Sequence, residues 1–164
     1  GTTSGIGWET AIELAKRDCN LFLANRSKEK TDKLIRQITN IAPHVKITYL
    51  PIELDDLQSV KNAAMQFLAL NDPLDILINN AAICNGRPIQ ELSFKQVKLT
   101  MEVNFLSYVQ LIMLFLKQQQ VKDCLPHRFH IVNVSSIAGH LTSARNSDYS
   151  ASKFALTGFA DSLR

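Results

Sequence analysis

The chain has 164 residues, 46% of them hydrophobic and 20% charged, with a formal net charge of +3. That composition suits an ordinary soluble α/β domain; it is too weakly basic, and lacks the aromatic-interleaved basic stripe, to argue for a nucleic-acid partner. Cys19, Cys84 and Cys124 fit neither a disulfide framework nor a zinc site, so reduced intracellular thiols are expected, and His44, His127, His130 and His140 form no metal-ligand pattern.

The chain opens on Gly1-Thr2-Thr3-Ser4-Gly5-Ile6-Gly7, which runs into a segment with helical apolar spacing at Ile6, Ala11, Leu14 and Ala15. Glycines ahead of a helix let the backbone approach a ligand, and the helix start adds free N–H groups and partial positive charge. Both suit a pyrophosphate. The spacing G-x-x-x-G-x-G is a variant of the dinucleotide fingerprint, and it gains weight from the strand–helix alternation downstream of it.

Short apolar or β-branched runs predict strands at Asn20 to Ala24, Val45 to Leu50, Asp75 to Ile78 and Phe129 to Val134. Helical stretches are predicted near Ser27–Asn40, Asp56–Leu70 and Ser93–Gln120, with a last helix from about Asp148; Ser27 and Asp55 are the expected N-caps. Pro43, Pro51, Pro73 and Pro126 fall at element boundaries, where proline does least harm. This alternation implies right-handed crossovers and an α/β fold with a doubly wound, Rossmann-like parallel sheet. With no repeat, low-complexity tract or linker, residues 1–164 are expected to form a single domain. The apolar stretch 105–116 is too short and too interrupted to span a bilayer, and is expected to pack on the sheet.

Ser135 and Ser136 close the fourth strand, at the carboxyl edge where open α/β sheets bind ligands. Tyr149 and Lys153 come next, spaced i and i+4, which puts them on one helix face one turn apart. A phenol of pKa about 10 is a poor acid or base at neutral pH, and bringing it to about 7 takes roughly 4 kcal/mol of differential stabilisation. A fixed ammonium nearby acts in that direction. An isolated Tyr/Lys pair is more often an ordinary surface neighbour pair; the upstream motifs change the odds.

The chain resembles the short-chain dehydrogenase/reductase family along nearly its whole length. The resemblance rests on Gly1-x-x-x-Gly5-x-Gly7, Asn79-Asn80-Ala81-Ala82, Asn104, Ser136 and Tyr149-x-x-x-Lys153, in the family's order. It implies that Tyr149 exchanges a proton with the substrate oxygen as hydride moves to or from a nicotinamide. Ser136, thirteen residues before Tyr149, would bond the same oxygen, leaving Ser135 structural. Lys153 would lower the tyrosine pKa and hold the nicotinamide ribose, and Asn104 would bind a water linking Lys153 to solvent. From residues 101–104 alone, an ordinary polar helix residue is the favoured reading of Asn104. Gly1, Ser4, Gly5, Ile6, Gly7, Glu53, Leu54, Asn80 and Ala81 would contact the cofactor, together with Tyr149 and Lys153.

Family members that use NAD carry a carboxylate about twenty residues after the glycine loop, whereas an arginine accommodates the 2′-phosphate of NADP. Here Leu23-Ala24-Asn25-Arg26 has no acid and an immediate arginine, which favours NADP(H) through Arg26; Lys28 and Lys30 are read as solvated charges. Glu53 stands where an aspartate is usual, and Ala82 replaces a glycine. The motif order also leads to an expectation of a piece of a longer product, because the strand before Gly1 and the strands after Arg164 are not in the sequence. Residues 1–164 alone are then expected to be unstable or inactive, and targeting is left open between cytoplasmic and membrane-associated.

The expected activity is an NADP(H)-dependent carbonyl reductase or alcohol dehydrogenase acting on a small carbonyl or alcohol. Ser147–Ala155 is similar to members acting on lipophilic retinoid or steroid alcohols. The resemblance also implies a homo-oligomer through the long helix and the Tyr149 helix. A sugar-nucleotide epimerase fits the glycine spacing less well. A catalytically silent NADP(H)-binding regulator or scaffold is the alternative from another class.

Overall fold

The computed structural model describes residues 1–121 and 129–163, so Cys124, Pro126 and His127 lie outside the described residues. Helix α1 (Gly5–Ala15) leads into β1 (Leu21–Asn25), α2 (Lys28–Ile41), β2 (Ile47–Pro51), α3 (Leu57–Ala69) and β3 (Ile76–Asn79). The predicted long helix is α4 (Phe94–Met101), a π-helical turn (Glu102–Leu106) and α5 (Ser107–Val121) in direct succession. Strand β4 (His130–Asn133) and helix α6 (Ser147–Ser162) complete the described order.

Local chemistry sets the helix starts. Ser27 caps α2 by accepting from the Lys30 N–H. The cap of α3 is Asp56, not Asp55: its backbone is extended and its carboxylate accepts from the Gln58 N–H. Ser93 and Gln96 form a reciprocal capping box at α4. On α1 the buried face is Gly7, Ala11, Ile12 and Ala15. Ile6, expected on that face, is 68% exposed: it lies one position round the helix from the buried Gly7, outside the stripe that meets the core.

β1 lies parallel to β2, from Leu21 opposite Ile47 to Asn25 opposite Pro51. β3 lies parallel to β4, from Ile76 opposite His130 to Asn79 opposite Asn133. Among the described residues the two pairs do not bond to each other. The Leu21 N–H donates to Lys46 and the Asn25 carbonyl accepts from Ile52, so Phe22 and Ala24 turn their backbone groups away from β2. The Asp75 and Asn79 carbonyls accept from His130 and Val134, so Ile76 and Ile78 turn theirs away from β4. Both bare edges border a cavity of about 560 Å³, walled by Ala11, Leu14, Phe67, Leu111 and Phe115.

The main core joins α1, β1 and α2 through Ala11, Ile12, Leu21, Leu23, Leu34 and Ile38. Residues 94–117 form a helix that length and composition alone would allow to cross a bilayer, longer than the stretch considered from sequence. Its Tyr108, Ile112 and Phe115 are buried within the fold, while Phe94, Leu106 and Met113 are exposed.

Candidate active site

The glycine loop is built for close approach. Gly5 has φ +55, a left-handed conformation that favours glycine, and a methyl added there would touch nothing within 4 Å. Gly7 is buried, and a Cβ on it would collide with the Gly1 carbonyl and stand 2.6 Å from Asn80 Nδ2. Asn80 Nδ2 donates to the Gly1 carbonyl at 2.8 Å, which pins the loop to the end of β3. From β1, Asn25 Oδ1 accepts from the Thr2 N–H at 2.8 Å, and Asn25 Nδ2 donates to Thr2 Oγ1 at 2.7 Å. Ser4 precedes α1 in an extended conformation and makes no side-chain cap bond, so the N–H groups of the first turn have no side-chain acceptor. A tight, pinned loop with open space over Gly5 and uncapped donors fits a pyrophosphate.

Arg26 is exposed directly after Asn25 at the strand end. Glu53 is also exposed, its N–H donating to Ser59 Oγ at 2.9 Å, and Leu54 packs against the Ile52, Val60 and Ala63 cluster. The Ala81 carbonyl accepts from the Tyr108 hydroxyl. Burial pushes the Tyr108 phenol well above its ordinary pKa, and the neighbouring Tyr149 adds to the shift.

Helix α6 carries Tyr149 and Lys153 on one face, with Lys153 Nζ 5.7 Å from the Tyr149 ring centroid. Lys153 is 1% exposed, and burial holds its ammonium below the ordinary lysine pKa. Its Nζ donates to the Val134 carbonyl at 2.8 Å, which fixes α6 to the segment just before Ser135 and Ser136. Ser136 Oγ accepts from the Ala138 N–H at 3.1 Å and caps the short 3-10 turn Ile137–Gly139. Ser135 Oγ lies 3.1 Å from Thr157 Oγ1 on α6.

Asn104 sits in the π-helical turn and is fully buried. Its Oδ1 accepts from the Ile83 N–H at 2.8 Å, and its Nδ2 donates to the Ile83 carbonyl at 2.9 Å. Nδ2 also donates to Ser152 Oγ at 3.0 Å, and that hydroxyl donates to the Tyr149 carbonyl at 2.7 Å. A π-turn inserts one residue into a helix and re-aims its side chains, and such turns recur at functional sites. Asn104 is thus tied through Ser152 to the Tyr149 backbone carbonyl, and Lys153, one turn along the same helix, ties α6 to the segment before Ser136. Arg26 and Glu53 stand apart from these residues, on the β1 and β2 ends. Sequence reading missed Asn25, Tyr108 and Ser152; of these only Asn25, a polar residue closing an apolar strand beside the glycine loop, carried a visible signal. No group of three or more His, Cys, Asp or Glu side chains among the described residues is arranged to hold a metal ion.

The short chain dehydrogenase family pattern matches residues 1–164. An uncharacterized oxidoreductase of Schizosaccharomyces pombe is 39% identical over 140 residues, covering 84% of this chain and 41% of that protein. Retinol dehydrogenase 11 of Homo sapiens is 33% identical over 160 residues, covering 98% of this chain and 48% of its own length. The chain therefore spans about half the length of the curated relatives it matches. The crystal structure of a metagenomic short-chain oxidoreductase in complex with NADP superposes with a TM-score of 0.88 at 27% identity, over 99% of this chain and 72% of that one. With its Rossmann-like α/β architecture and a family match over residues 1–164, the chain belongs to the short-chain dehydrogenase family.

Proposed function

We propose that this chain forms the cofactor-binding and catalytic part of an NADP(H)-dependent carbonyl reductase or alcohol dehydrogenase. The observation that carries the reading is the α6 pair: a half-buried phenol with a buried ammonium 5.7 Å from its ring, anchored beside the strand end that bears Ser136. The N–H groups of the Gly5–Gly7 turn would hold the pyrophosphate, Arg26 the 2′-phosphate, and Asn80, Ala81, Tyr149 and Lys153 the nicotinamide half. When bound, NADPH supplies the hydride that reduces the carbonyl carbon. The Tyr149 hydroxyl gives its proton to the carbonyl oxygen, and Ser136 Oγ donates a hydrogen bond to that oxygen as its charge develops. In the reverse direction the tyrosine oxygen takes the proton from the alcohol. The Lys153 ammonium stabilises the phenolate left behind.

The NADP complex of the 27%-identical neighbour and the carboxylate-free β1 end at Asn25 and Arg26 support the cofactor choice. The likeness to a retinol dehydrogenase supports a lipophilic alcohol or carbonyl as substrate and membrane association as one location. The test is to express the protein with and without Tyr149→Phe and follow NADPH oxidation against ketones, aldehydes and quinones. NADPH binding survives and turnover falls by roughly 10²-fold or more, the span of general acid–base contributions; an unchanged rate removes Tyr149 from the mechanism. Arg26→Asp weakens NADPH binding far more than NADH binding, and an equal effect on both defeats the cofactor assignment.

A further inference from the structure

Asp148, immediately before Tyr149, is a carboxylate buried to 3% exposure in the first turn of α6. Its Oδ2 accepts from Asn85 Nδ2 at 2.7 Å and from Thr100 Oγ1 at 2.8 Å. Its Oδ1 is buried with no hydrogen-bond partner, and no cation pairs with it among the described residues. With Oδ1 unpartnered, the charge depends on the two donors to Oδ2, Asn85 and Thr100.

What Asp148 joins is specific. Thr100, fully buried, lies in the last turn of α4, just before the π-turn that holds Asn104. Asn85 lies two residues after Ile83, the partner of Asn104, and its neighbour Cys84 donates to Asn146 Oδ1 at the start of α6. Asn85 Nδ2 also donates to Thr100 Oγ1 at 3.1 Å. Two side-chain links thus converge on Tyr149 from the same helix rod. Asn104 reaches its carbonyl through Ser152 from one turn below, and Thr100 reaches the preceding residue through Asp148 from above. Burial pushes the Asp148 carboxyl up, but hydrogen bonding, chiefly from Asn85 and Thr100, outweighs it, so the carboxylate form is the one held.

We propose that Asp148 is a positioning residue: by clamping the first turn of α6 to Thr100 and Asn85, it sets where the Tyr149 phenol stands over the reacting oxygen. This rests on the acid–base reading of Tyr149. A displacement of about 1 Å in such a site can cost on the order of 10²-fold in rate, so the effect belongs in turnover, while cofactor affinity rests mainly on the glycine loop and Arg26, which the clamp does not touch.

The experiment uses the full-length protein with Asp148→Ala, Asp148→Asn, Thr100→Val and the Asp148→Ala/Thr100→Val pair, read as kcat at saturating substrate and as NADPH Kd. Asp148→Ala lowers kcat by roughly 10- to 100-fold with the NADPH Kd unchanged. Asp148→Asn keeps an acceptor oxygen and restores most of the rate, and the double variant falls no further than Asp148→Ala. A wild-type kcat in Asp148→Ala overturns the proposal, as does a parallel loss of NADPH affinity, which would mark general loosening. An Asp148→Asn rate as low as that of Asp148→Ala also overturns it, by assigning the effect to charge. If Asp148→Ala does not fold, Thr100→Val decides: a several-fold fall in kcat at constant Kd supports the clamp, and an unchanged kcat overturns it. Tyr149→Phe is run alongside. If it is inactive while Asp148→Ala is fully active, only the clamp fails; if it retains the wild-type rate, the acid–base reading fails and the clamp with it.

Discussion

Asn104 and Ile83 bond to each other twice, the side-chain amide accepting the Ile83 N–H at 2.8 Å and donating to the Ile83 carbonyl at 2.9 Å. The pairing imitates a rung of a β-ladder with a side chain in place of a strand. It ties the loop after β3 to the middle of the long helical rod, and the second amide hydrogen carries the tie onward to Ser152 and α6.

Asn104→Ala leaves the Ile83 N–H and carbonyl without their partner and removes the amide's link to Ser152. Ile83 is half-buried, so each stranded group costs toward the low end of the roughly 1–3 kcal/mol that burial exacts, and the variant loses about 2 kcal/mol of folding stability. Denaturant unfolding of the full-length protein measures it; a midpoint equal to wild type would show that the Ile83 pairing is dispensable.

Gly7→Ala places a methyl against the Gly1 carbonyl and 2.6 Å from Asn80 Nδ2. The loop must shift away from β3, so NADPH binding weakens by at least about tenfold, or 1.4 kcal/mol. Isothermal titration checks this. Gly5→Ala is strained by its φ of +55 but meets no atom, so its loss is the smaller of the two.

Gly139→Ala acts on the other side of the site. Its methyl would stand 2.8 Å from Thr157 Oγ1, 2.9 Å from the Lys153 carbonyl and 3.0 Å from Ser135 Oγ. The turn after Ser136 is then pushed off α6, separating the serine from the Tyr149 helix. Turnover falls while NADPH binding at the glycine loop persists; single-turnover rates and cofactor titration separate the two.

Lys153 gives stability a pH slope of known sign. Its folded-state pKa lies below the ordinary 10.5 because burial penalises the ammonium. Between the lowered value and 10.5 the unfolded chain binds more protons than the folded one, so stability rises with pH through that window and the full penalty stands below it. Lys153→Met removes this component. Urea midpoints between neutral pH and pH about 10 therefore rise more, or fall less, in wild type than in Lys153→Met, and identical profiles would refute the burial argument.

Much of the molecule is legible in its sequence because the physics is local. Strand ends fall within about two residues of the limits of the apolar runs, and the glycine loop and the Tyr149/Lys153 spacing announce themselves in sequence order. The π-turn at Glu102–Leu106 is not legible, since hydrophobic periodicity does not register one extra residue in an apolar rod. The cap of α3 shifts from Asp55 to Asp56 because two adjacent aspartates are equivalent until the backbone selects one. Thr100 and Asp148 read as ordinary polar residues; only the fold shows that they are buried and joined to Asn85 and each other.

The backbone groups of Phe22, Ala24, Ile76 and Ile78, unpaired among the described residues, leave two parallel strand edges on one cavity. A strand entering there would be registered by two parallel neighbours at once and would cover the apolar walls of α1 and α5. Unfilled, the same edges invite pairing between molecules. Deuterium should reach those four amides before the amides of Leu21 and Leu23, and self-association of residues 1–164 should grow with concentration until an extended segment occupies the slot.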